Sequence, residues 1–455
     1  MAVSVNRIPS QVRVTERDVR NAKWICFLAW TFAVYDFVLF GNLLPKLAED
    51  HGWTEARSTG INTWVTIGTA VVAFAVGPMV DKLGRRKGII VAVIGAALMS
   101  AFTAAAGWVV GVTAGIGIVL LIVIRSVAGL GYAEQGINAT YLSEMFATVY
   151  TDPARVRRRG LSYSVVQSGF SVGSVLAAAS IYAFYPIGGW TLCFIIGAFP
   201  ALFMVWAARY LKESPQFSLR KEAEGLRRVG LEDDANALLD SAGLARRTAS
   251  TPLIAAFKGE SLRPTLALSA AFFLIWFGAL AFMILGTSVL NSTDGKNIAF
   301  DNALVVLIVS NLSACIGYLT FGWIGDRLGR RFSISIGWIL AGMCFVGMML
   351  VPNDNAILII VLYSLGLLLL SGPFAALLFF GGESFPAHTR ATGIAIVTAA
   401  GQIGAVTAGA VFTFWLSSGH SWASTALLWG ALPIIAAGFV ILSARHVPPG
   451  TVRID

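Results

Sequence analysis

The chain carries one short motif twice: GPMVDKLGRR at residues 77–86 and GWIGDRLGRR at residues 322–331. Each copy has a glycine, an aspartate four positions later, a basic residue, and a glycine followed by two arginines. Further along, YLSEMF with Glu144 and GGESFP with Glu383 follow the two copies in the same order. Landmarks repeated in one order indicate a duplicated unit, so we predict two similar halves.

The composition is that of an integral membrane protein. Of the 455 residues, 56% are hydrophobic and only 13% are charged, and the mean hydropathy is +0.75. These values lie outside the usual range for a soluble globular protein.

Twelve windows of the sequence are apolar over about 20 residues, the length that a helix needs to cross the hydrocarbon core. The windows are residues 24–46, 60–80, 88–107, 116–145, 160–184, 189–210, 264–290, 300–324, 332–351, 356–382, 391–416 and 422–444. We therefore predict an all-α membrane protein with twelve transmembrane helices in two six-helix bundles related by pseudo-twofold symmetry. The predicted segments are a tail at 1–23, bundles at 24–210 and 264–444, a charged linker at 211–263 and a tail at 445–455.

The positions of lysine and arginine predict the orientation in the membrane. Short loops rich in these residues stay on the cytoplasmic side. With both termini in the cytoplasm, only Lys46, Arg57 and Lys296 of the 33 basic residues face outward, and Arg125 lies inside a span. The net charge of +9 therefore reflects topology, and we do not expect nucleic acid as a partner. The polar N-terminus has no apolar segment typical of a cleavable signal peptide.

Signatures of other protein classes are missing from the sequence. The four cysteines lie in apolar runs without CxxC spacing, and we interpret them as small core residues. There is no Walker loop, no metal-ligand spacing and no nucleophile with a paired base. We expect no enzyme, no metal and no cofactor, with the proton as coupling ion.

Three ionisable residues fall inside predicted spans, namely Asp36, Arg125 and Glu134. Each such charge costs about 2.5–3.5 kcal/mol near the bilayer centre on insertion scales, so it usually faces a cavity or a partner. Arg125 and Glu134 are nine positions apart and lie on opposite faces of a helix, so they do not pair with each other. A carboxylate in a low-dielectric cavity binds a proton more readily than in water, as a proton symporter requires.

These charges allow two interpretations. Asp36 and Glu134 are candidate proton-coupling residues, and the fork of donors on Arg125 suits a substrate carboxylate. Alternatively, Asp36 and Arg125 form a static ion pair that holds two helices together. Further candidates for substrate binding are polar or aromatic residues at mid-depth: Asn138, Tyr163, Gln167, Trp276, Asn311 and Gln402. Asn138 lies one turn beyond Glu134, on the same helix face.

The doubled motif in a twelve-helix frame resembles the major facilitator superfamily over residues 24–444. Within it, VYDFVLFG at 34–41, LKESPQF at 211–217 and ESFPAHTRATG at 383–393 are similar to the metabolite:proton symporters. The related aromatic-acid and sugar porters share the second and third stretches in looser form. In such proteins the binding cavity lies between the two halves, near mid-membrane.

The resemblance implies that the motif forms a cytoplasmic latch that stabilises the outward-open state. The implied gating residues are Gly77, Asp81, Arg85, Arg86, Glu144, Arg159, Gly322, Asp326, Arg330, Arg331, Glu383 and Arg390. A glycine and an aspartate four positions apart share one helix face, so the glycine allows close packing while the aspartate can accept from a neighbouring helix N-terminus. The alternative is a solvated turn that only fixes the topology.

Together these features predict a proton-coupled symporter that imports a small organic acid anion by alternating access. We expect a monomer in the cell inner membrane whose partners are the small-molecule substrate, the proton and the lipid bilayer. The alternatives are a betaine or sugar porter, a drug:proton antiporter, or a sensor that does not transport. A drug antiporter typically has a proline- and glycine-rich repeat in its fifth helix, where this chain reads SVVQSGFSVGSV without proline.

Overall fold

The computed structural model describes residues 14–112, 114–150, 152, 159–207, 209–241, 253–385 and 389–446, and every regular element among them is helical. The helices of the first half are α1 (Glu16–His51), α2 (Glu55–Leu83), α3 (Arg85–Val112), α4 (Ala114–Ala128), α5 (Leu130–Val149), α6 (Arg159–Gln167), α7 (Gly169–Ile196) and α8 (Pro200–Ala207). The linker contributes α9 (Pro215–Arg228) and α10 (Glu232–Ser241). The second half contains α11 (Leu262–Ala279), α12 (Gly286–Asn291), α13 (Phe300–Leu328), α14 (Arg330–Leu350), α15 (Ala356–Ser384), α16 (Arg390–Ser417), α17 (Trp422–Ser424) and α18 (Leu432–Val440).

Short turns of other helical types complete the second half. Leu280–Ile284 and Thr425–Ala431 are π-helical turns that pack against each other, and they lie in the seventh and twelfth predicted spans. The 3₁₀ turns are Leu253–Phe257, Gly259–Ser261 and Ile441–Ser443.

Eleven stretches of the described residues are long and apolar enough to cross a membrane, and they match every predicted window except the sixth. The sixth window, 189–210, is divided between the end of α7 and the short helix α8. Gly188 and Gly189 separate it from the fifth span, because they leave helical geometry at φ −143°, ψ 21° and φ 61°, ψ −164°. A positive φ is readily adopted only by glycine, so this pair makes the turn between two spans possible.

Helix α1 starts well before the predicted span at residue 24. Thr15 and Asp18 form a capping box: the Asp18 backbone N–H donates to Thr15 Oγ1 (3.3 Å) and the Thr15 N–H donates to Asp18 Oδ2 (2.9 Å). This cap satisfies amides that the helix itself leaves without partners. Lys212 Nζ also lies 2.9 Å from Asp18 Oδ2, so the start of α1 is tied to the beginning of the linker.

The contacts between the halves follow the symmetry of the repeat. The first span (α1) packs on the seventh (α12), the second (α2) on the eleventh (α16), and the fifth (α7) on the eighth (α13). Exchanging the halves converts the second–eleventh pair into the fifth–eighth pair and leaves the first–seventh pair unchanged. This is the pattern of two bundles related by a pseudo-twofold axis, so the predicted fold class is confirmed.

Polar contacts join the halves at the predicted outer side. Thr63 Oγ1 lies 3.3 Å from Thr413 Oγ1, and Thr287 Oγ1 donates to the carbonyl of Gly41 at 3.3 Å. At Gly41 a Cβ atom would come within 2.5 Å of the Ile284 carbonyl oxygen, so the absence of a side chain permits this approach. The first and seventh spans are therefore in direct backbone contact at this side.

Candidate functional site

Asp36 and Arg125 form a buried ion pair between α1 and α4. Arg125 Nη1 lies 3.1 Å from Asp36 Oδ1, and Nη2 donates to the Asp36 carbonyl oxygen at 2.9 Å. Only 2% of the Arg125 side chain and 3% of the Asp36 side chain are exposed. The guanidinium also lies 5.4 Å from the ring centres of both Phe40 and Phe194. The two charges thus balance each other in an apolar setting, and cation–π contacts add to the pair.

Glu134 lies on α5 in different surroundings. The residue is fully buried, Asn138 Nδ2 donates to its Oε2 at 2.9 Å, and Oε1 has no hydrogen-bond partner. Among the described residues Glu134 has no cationic partner within ion-pair distance, and Arg125 is engaged with Asp36. The predicted separation of Arg125 from Glu134 and the predicted proximity of Asn138 are both confirmed.

Tyr163 and Gln167 extend the polar cluster around Glu134. Tyr163 Oη donates to Asn138 Oδ1 at 3.1 Å, and Gln167 Nε2 donates to Tyr163 Oη at 2.6 Å. Asn138, Tyr163 and Gln167 are all buried inside the first half, with exposed fractions of 0%, 4% and 1%. Their role in substrate binding stays a prediction; in this conformation they contact one another and the Glu134 carboxyl group.

An aromatic cluster at mid-depth joins the halves on the other face of α5. Tyr132 contacts Trp276 of α11 edge to face, with 5.9 Å between ring centres, and Trp276 continues to Phe374 of α15 at 5.6 Å. The Gln402 side chain lies beside the Tyr132 hydroxyl. Trp276 and Gln402 are half-buried and lie at this contact between the halves, which is where the sequence predicts the binding cavity.

Asn311 is the last of the predicted substrate contacts. It lies on α13, is 8% exposed, and donates through Nδ2 to the Leu307 carbonyl of its own helix at 2.9 Å. Sequence reasoning missed Tyr132 and Gln135, the latter donating to Gln167 Oε1 at 3.0 Å. Both residues lie within two positions of Glu134 in the sequence, and this proximity could have identified them as candidates.

The first motif copy is held by the linker through Glu213. The backbone N–H groups of Arg85 and Arg86, the first residues of α3, donate to Glu213 Oε1 at 2.9 and 3.1 Å. Arg85 Nη2 lies 3.5 Å from Glu144 Oε1, and the Ser214 hydroxyl donates to Glu144 Oε2. A carboxylate at a helix N-terminus is stabilised by the partial positive charge there. Sequence reasoning missed Glu213, although the quoted LKESPQF stretch contains it.

The second motif copy contacts other elements. At Gly322 a Cβ atom would come within 2.6 Å of Ser164 Oγ in α6, so this glycine permits close packing between the halves. Arg330 begins α14, and Arg331 Nη1 donates to the carbonyls of Leu442 and Ala444 at 3.3 and 3.0 Å, at the end of the twelfth span. The carboxyl end of a helix carries a partial negative charge, which stabilises a cation placed there.

At the remaining predicted gating positions the structure describes the helical backbone only, so the contacts predicted for these residues lie outside the described part. These positions are Gly77, Asp81, Arg159, Asp326, Glu383 and Arg390. In the described residues no group of three metal-ligating side chains comes together.

Two bundles that meet through symmetric pairs of spans, with an aromatic contact between them and buried charges in one of them, are the features of a multi-pass membrane transporter. The family model of the Major Facilitator Superfamily matches residues 26–409 and 306–454, so the chain belongs to that superfamily.

The chain is also similar, over most of its length, to individual transporters. The chain is 25% identical over 433 residues to a probable 4-methylmuconolactone transporter of Cupriavidus pinatubonensis, covering 93% of this chain and 89% of that protein. It is 25% identical over 450 residues to a gallate transporter of Pseudomonas putida (95% and 94% covered). It is 23% identical over 454 residues to a niacin transporter of Acinetobacter baylyi (94% of both covered). The family and these relatives are transporters, so the expectation of a transporter rather than an enzyme is confirmed.

Proposed function

We propose that this protein is a proton-coupled symporter that imports a small carboxylic acid by alternating access. The observation that carries the proposal is the fully buried Glu134, which has one donor and no cationic partner in the described structure. An uncompensated carboxylate costs several kcal/mol in a low-dielectric interior, whereas a protonated carboxyl group does not. Glu134 is therefore suited to bind the coupling proton.

Asp36 has a different role in this proposal. Its charge is balanced by Arg125, so the pair holds α1 against α4 and keeps the cation of the bundle in place. Protonation of Asp36 would release Arg125 and allow its guanidinium to meet an anion. Both carboxylates thus belong to the coupling machinery, with Glu134 as the proton carrier in this conformation.

A carboxylic acid is the favoured substrate for two reasons. The names of the three relatives include gallate and niacin, which are aromatic carboxylic acids. The contact between Tyr132 and Trp276 places aromatic surface from both halves at mid-depth, and the half-buried Gln402 supplies a polar group beside it. Such an arrangement suits a planar ring with a polar substituent.

The cytoplasmic latch completes the proposed transport cycle. Arg85, Glu144 and Glu213 join the start of α3, the end of α5 and the linker, so this network can stabilise one conformation and break in another. In this proposal both termini are in the cytoplasm, because the basic residues concentrate on one side of the spans. A monomer in the cell inner membrane is part of the same proposal.

Transport by the purified protein tests the proposal. A thermal-shift screen of gallate, nicotinate, betaines and sugars selects the ligand, and proteoliposomes with an alkaline interior then measure its accumulation. We expect the selected acid to accumulate and a protonophore to abolish the accumulation. Uptake that only equilibrates and ignores the pH gradient would show a uniporter, and stabilisation by sugars alone would overturn the substrate class.

A further inference from the structure

Four side chains form an unbroken row of hydrogen bonds that ends on Glu134. Gln135 Nε2 donates to Gln167 Oε1 (3.0 Å), and Gln167 Nε2 donates to Tyr163 Oη (2.6 Å). Tyr163 Oη donates to Asn138 Oδ1 (3.1 Å), and Asn138 Nδ2 donates to Glu134 Oε2 (2.9 Å). We call Gln135, Gln167, Tyr163 and Asn138 the relay.

All donors of the relay point in the same direction, toward the carboxyl group. Hydrogen bonds aligned in this way polarise one another, so each donor strengthens the next. The last member donates to an oxygen that carries negative charge when Glu134 is ionised, so the relay favours the ionised form. Any change at the far end of the relay is therefore felt at Glu134.

The far end of the relay lies toward the second half of the protein. On α5, at about 100° per residue, Glu134 lies on the face opposite Tyr132, while Gln135 lies only about 60° from Tyr132. Tyr132 contacts Trp276 of the second half, so its face is the one turned to the second half, where the proposed function requires the substrate cavity. Gln135 is half-buried, whereas the other three members are buried. It is the member of the relay that a substrate in the cavity can reach.

We propose that the relay couples substrate binding to proton binding, with Gln135 as the substrate-sensing residue and Gln167, Tyr163 and Asn138 as positioning residues; this inference rests on the proposed function. Gln135 Nε2 has a second N–H that can donate to a substrate carboxylate. Donation to an anion weakens its donation to Gln167, and the weakening passes along the relay to Glu134. The added negative charge acts in the same direction. The substrate anion and a proton from the external solution then bind together.

Substrate-induced proton uptake tests the relay directly. The purified protein in lightly buffered solution receives gallate or nicotinate, whichever accumulates in wild-type proteoliposomes, and a pH-sensitive dye reports proton uptake. Tyr163→Phe keeps the ring but removes the hydroxyl at the middle of the relay, without touching the cavity or Glu134. Tyr363→Phe is the matched control, because Tyr363 is also buried and its hydroxyl donates to the Phe282 carbonyl at 2.6 Å.

We expect wild type and Tyr363→Phe to take up protons when the acid binds, and Tyr163→Phe to bind the acid without proton uptake. Counterflow exchange should persist in Tyr163→Phe while accumulation against the gradient is lost. If Tyr163→Phe takes up protons like the control, the relay is overturned and the proposed function stands. If wild type takes up none, proton coupling itself is wrong. Gln167→Leu, which interrupts the relay but leaves the proposed substrate contact of Gln135 in place, gives the same decision should Tyr163→Phe not fold.

Discussion

The first half contains two buried carboxyl groups whose surroundings differ in charge balance. Asp36 lies 3.1 Å from a guanidinium that has no other acidic partner in the described structure, and the pair is almost completely excluded from solvent. Glu134 is equally buried, but it receives a single hydrogen bond from a neutral amide. Both carboxylates and Arg125 lie on spans of the same bundle.

The difference separates two uses of a charge inside a membrane. A balanced pair is expensive to break, because the surviving partner would be buried without compensation. An unbalanced carboxyl group can change its proton occupancy without disturbing a neighbour, so it suits a proton that must bind and leave in each cycle. Substitutions in the Asp36–Arg125 pair should therefore have the larger effect on stability. Substitution of Glu134 should impair proton coupling with little effect on stability.

Asp36→Asn should have the largest effect on stability. It leaves the Arg125 guanidinium buried and charged, because arginine does not lose its proton in proteins, and breaking a buried pair in this way costs about 3–5 kcal/mol. Thermal denaturation in detergent measures the loss, and accumulation in proteoliposomes should be abolished. Asp36→Asn combined with Arg125→Gln is the control: removing both charges should recover most of the stability but not accumulation. If Asp36→Asn alone is as stable as wild type, the ion pair between Asp36 and Arg125 does not form.

Arg125→Gln should have a smaller effect on stability than Asp36→Asn. The carboxyl group left behind can become neutral by binding a proton, an option that arginine lacks. The same thermal measurement on both single variants checks this order, and binding of the anionic substrate should weaken if the pair opens for it. Equal losses of stability in Arg125→Gln and Asp36→Asn would show that protonation does not relieve the carboxyl group left behind. Unchanged affinity would assign Arg125 a structural role only.

Asn138→Leu should lower the stability less than Asp36→Asn or Arg125→Gln does. It removes the donor to Glu134 and the acceptor of Tyr163 while keeping the volume similar, and each hydrogen bond contributes about 1 kcal/mol net. Because two partners lose bonds, the melting temperature should fall measurably but less than in either variant of the ion pair. Asn311→Leu is a suitable comparison, since the hydrogen bond that Asn311 makes among the described residues is to the Leu307 carbonyl of its own helix. A loss as large as that of Asp36→Asn would show that Glu134 is held as tightly as the pair.

Sequence alone predicted the eleven spans that the structure matches and the placement of Asp36, Arg125 and Glu134 within them, because apolar length and charge placement are local properties. It left open whether Asp36 pairs with Arg125, since that contact joins separate spans. The sixth predicted span is not among the eleven stretches, because residues 189–210 are divided between the end of α7 and the short helix α8.

The members of the relay and the linker contact could not be derived from the sequence in the same way. Gln135 and Gln167 meet only because the fourth and fifth spans pack at one particular rotation, which periodicity does not determine. Glu213 lies in a charged linker where acidic residues are common, and nothing in its spacing indicates that it caps α3. Long-range packing decides these contacts.

Glu134→Gln should have the smallest effect on stability and still abolish coupling. Glutamine has the same shape, its amide oxygen can accept from Asn138 as Oε2 does, and it removes a carboxyl group that has no cation to leave behind. We expect an unchanged melting temperature, intact counterflow exchange, and no accumulation driven by the pH gradient. Asp301→Asn, at an exposed carboxylate in the first turn of α13, is the control and should accumulate substrate like wild type. If Glu134→Gln still concentrates the acid, the coupling proton binds elsewhere, and Asp36 becomes its carrier.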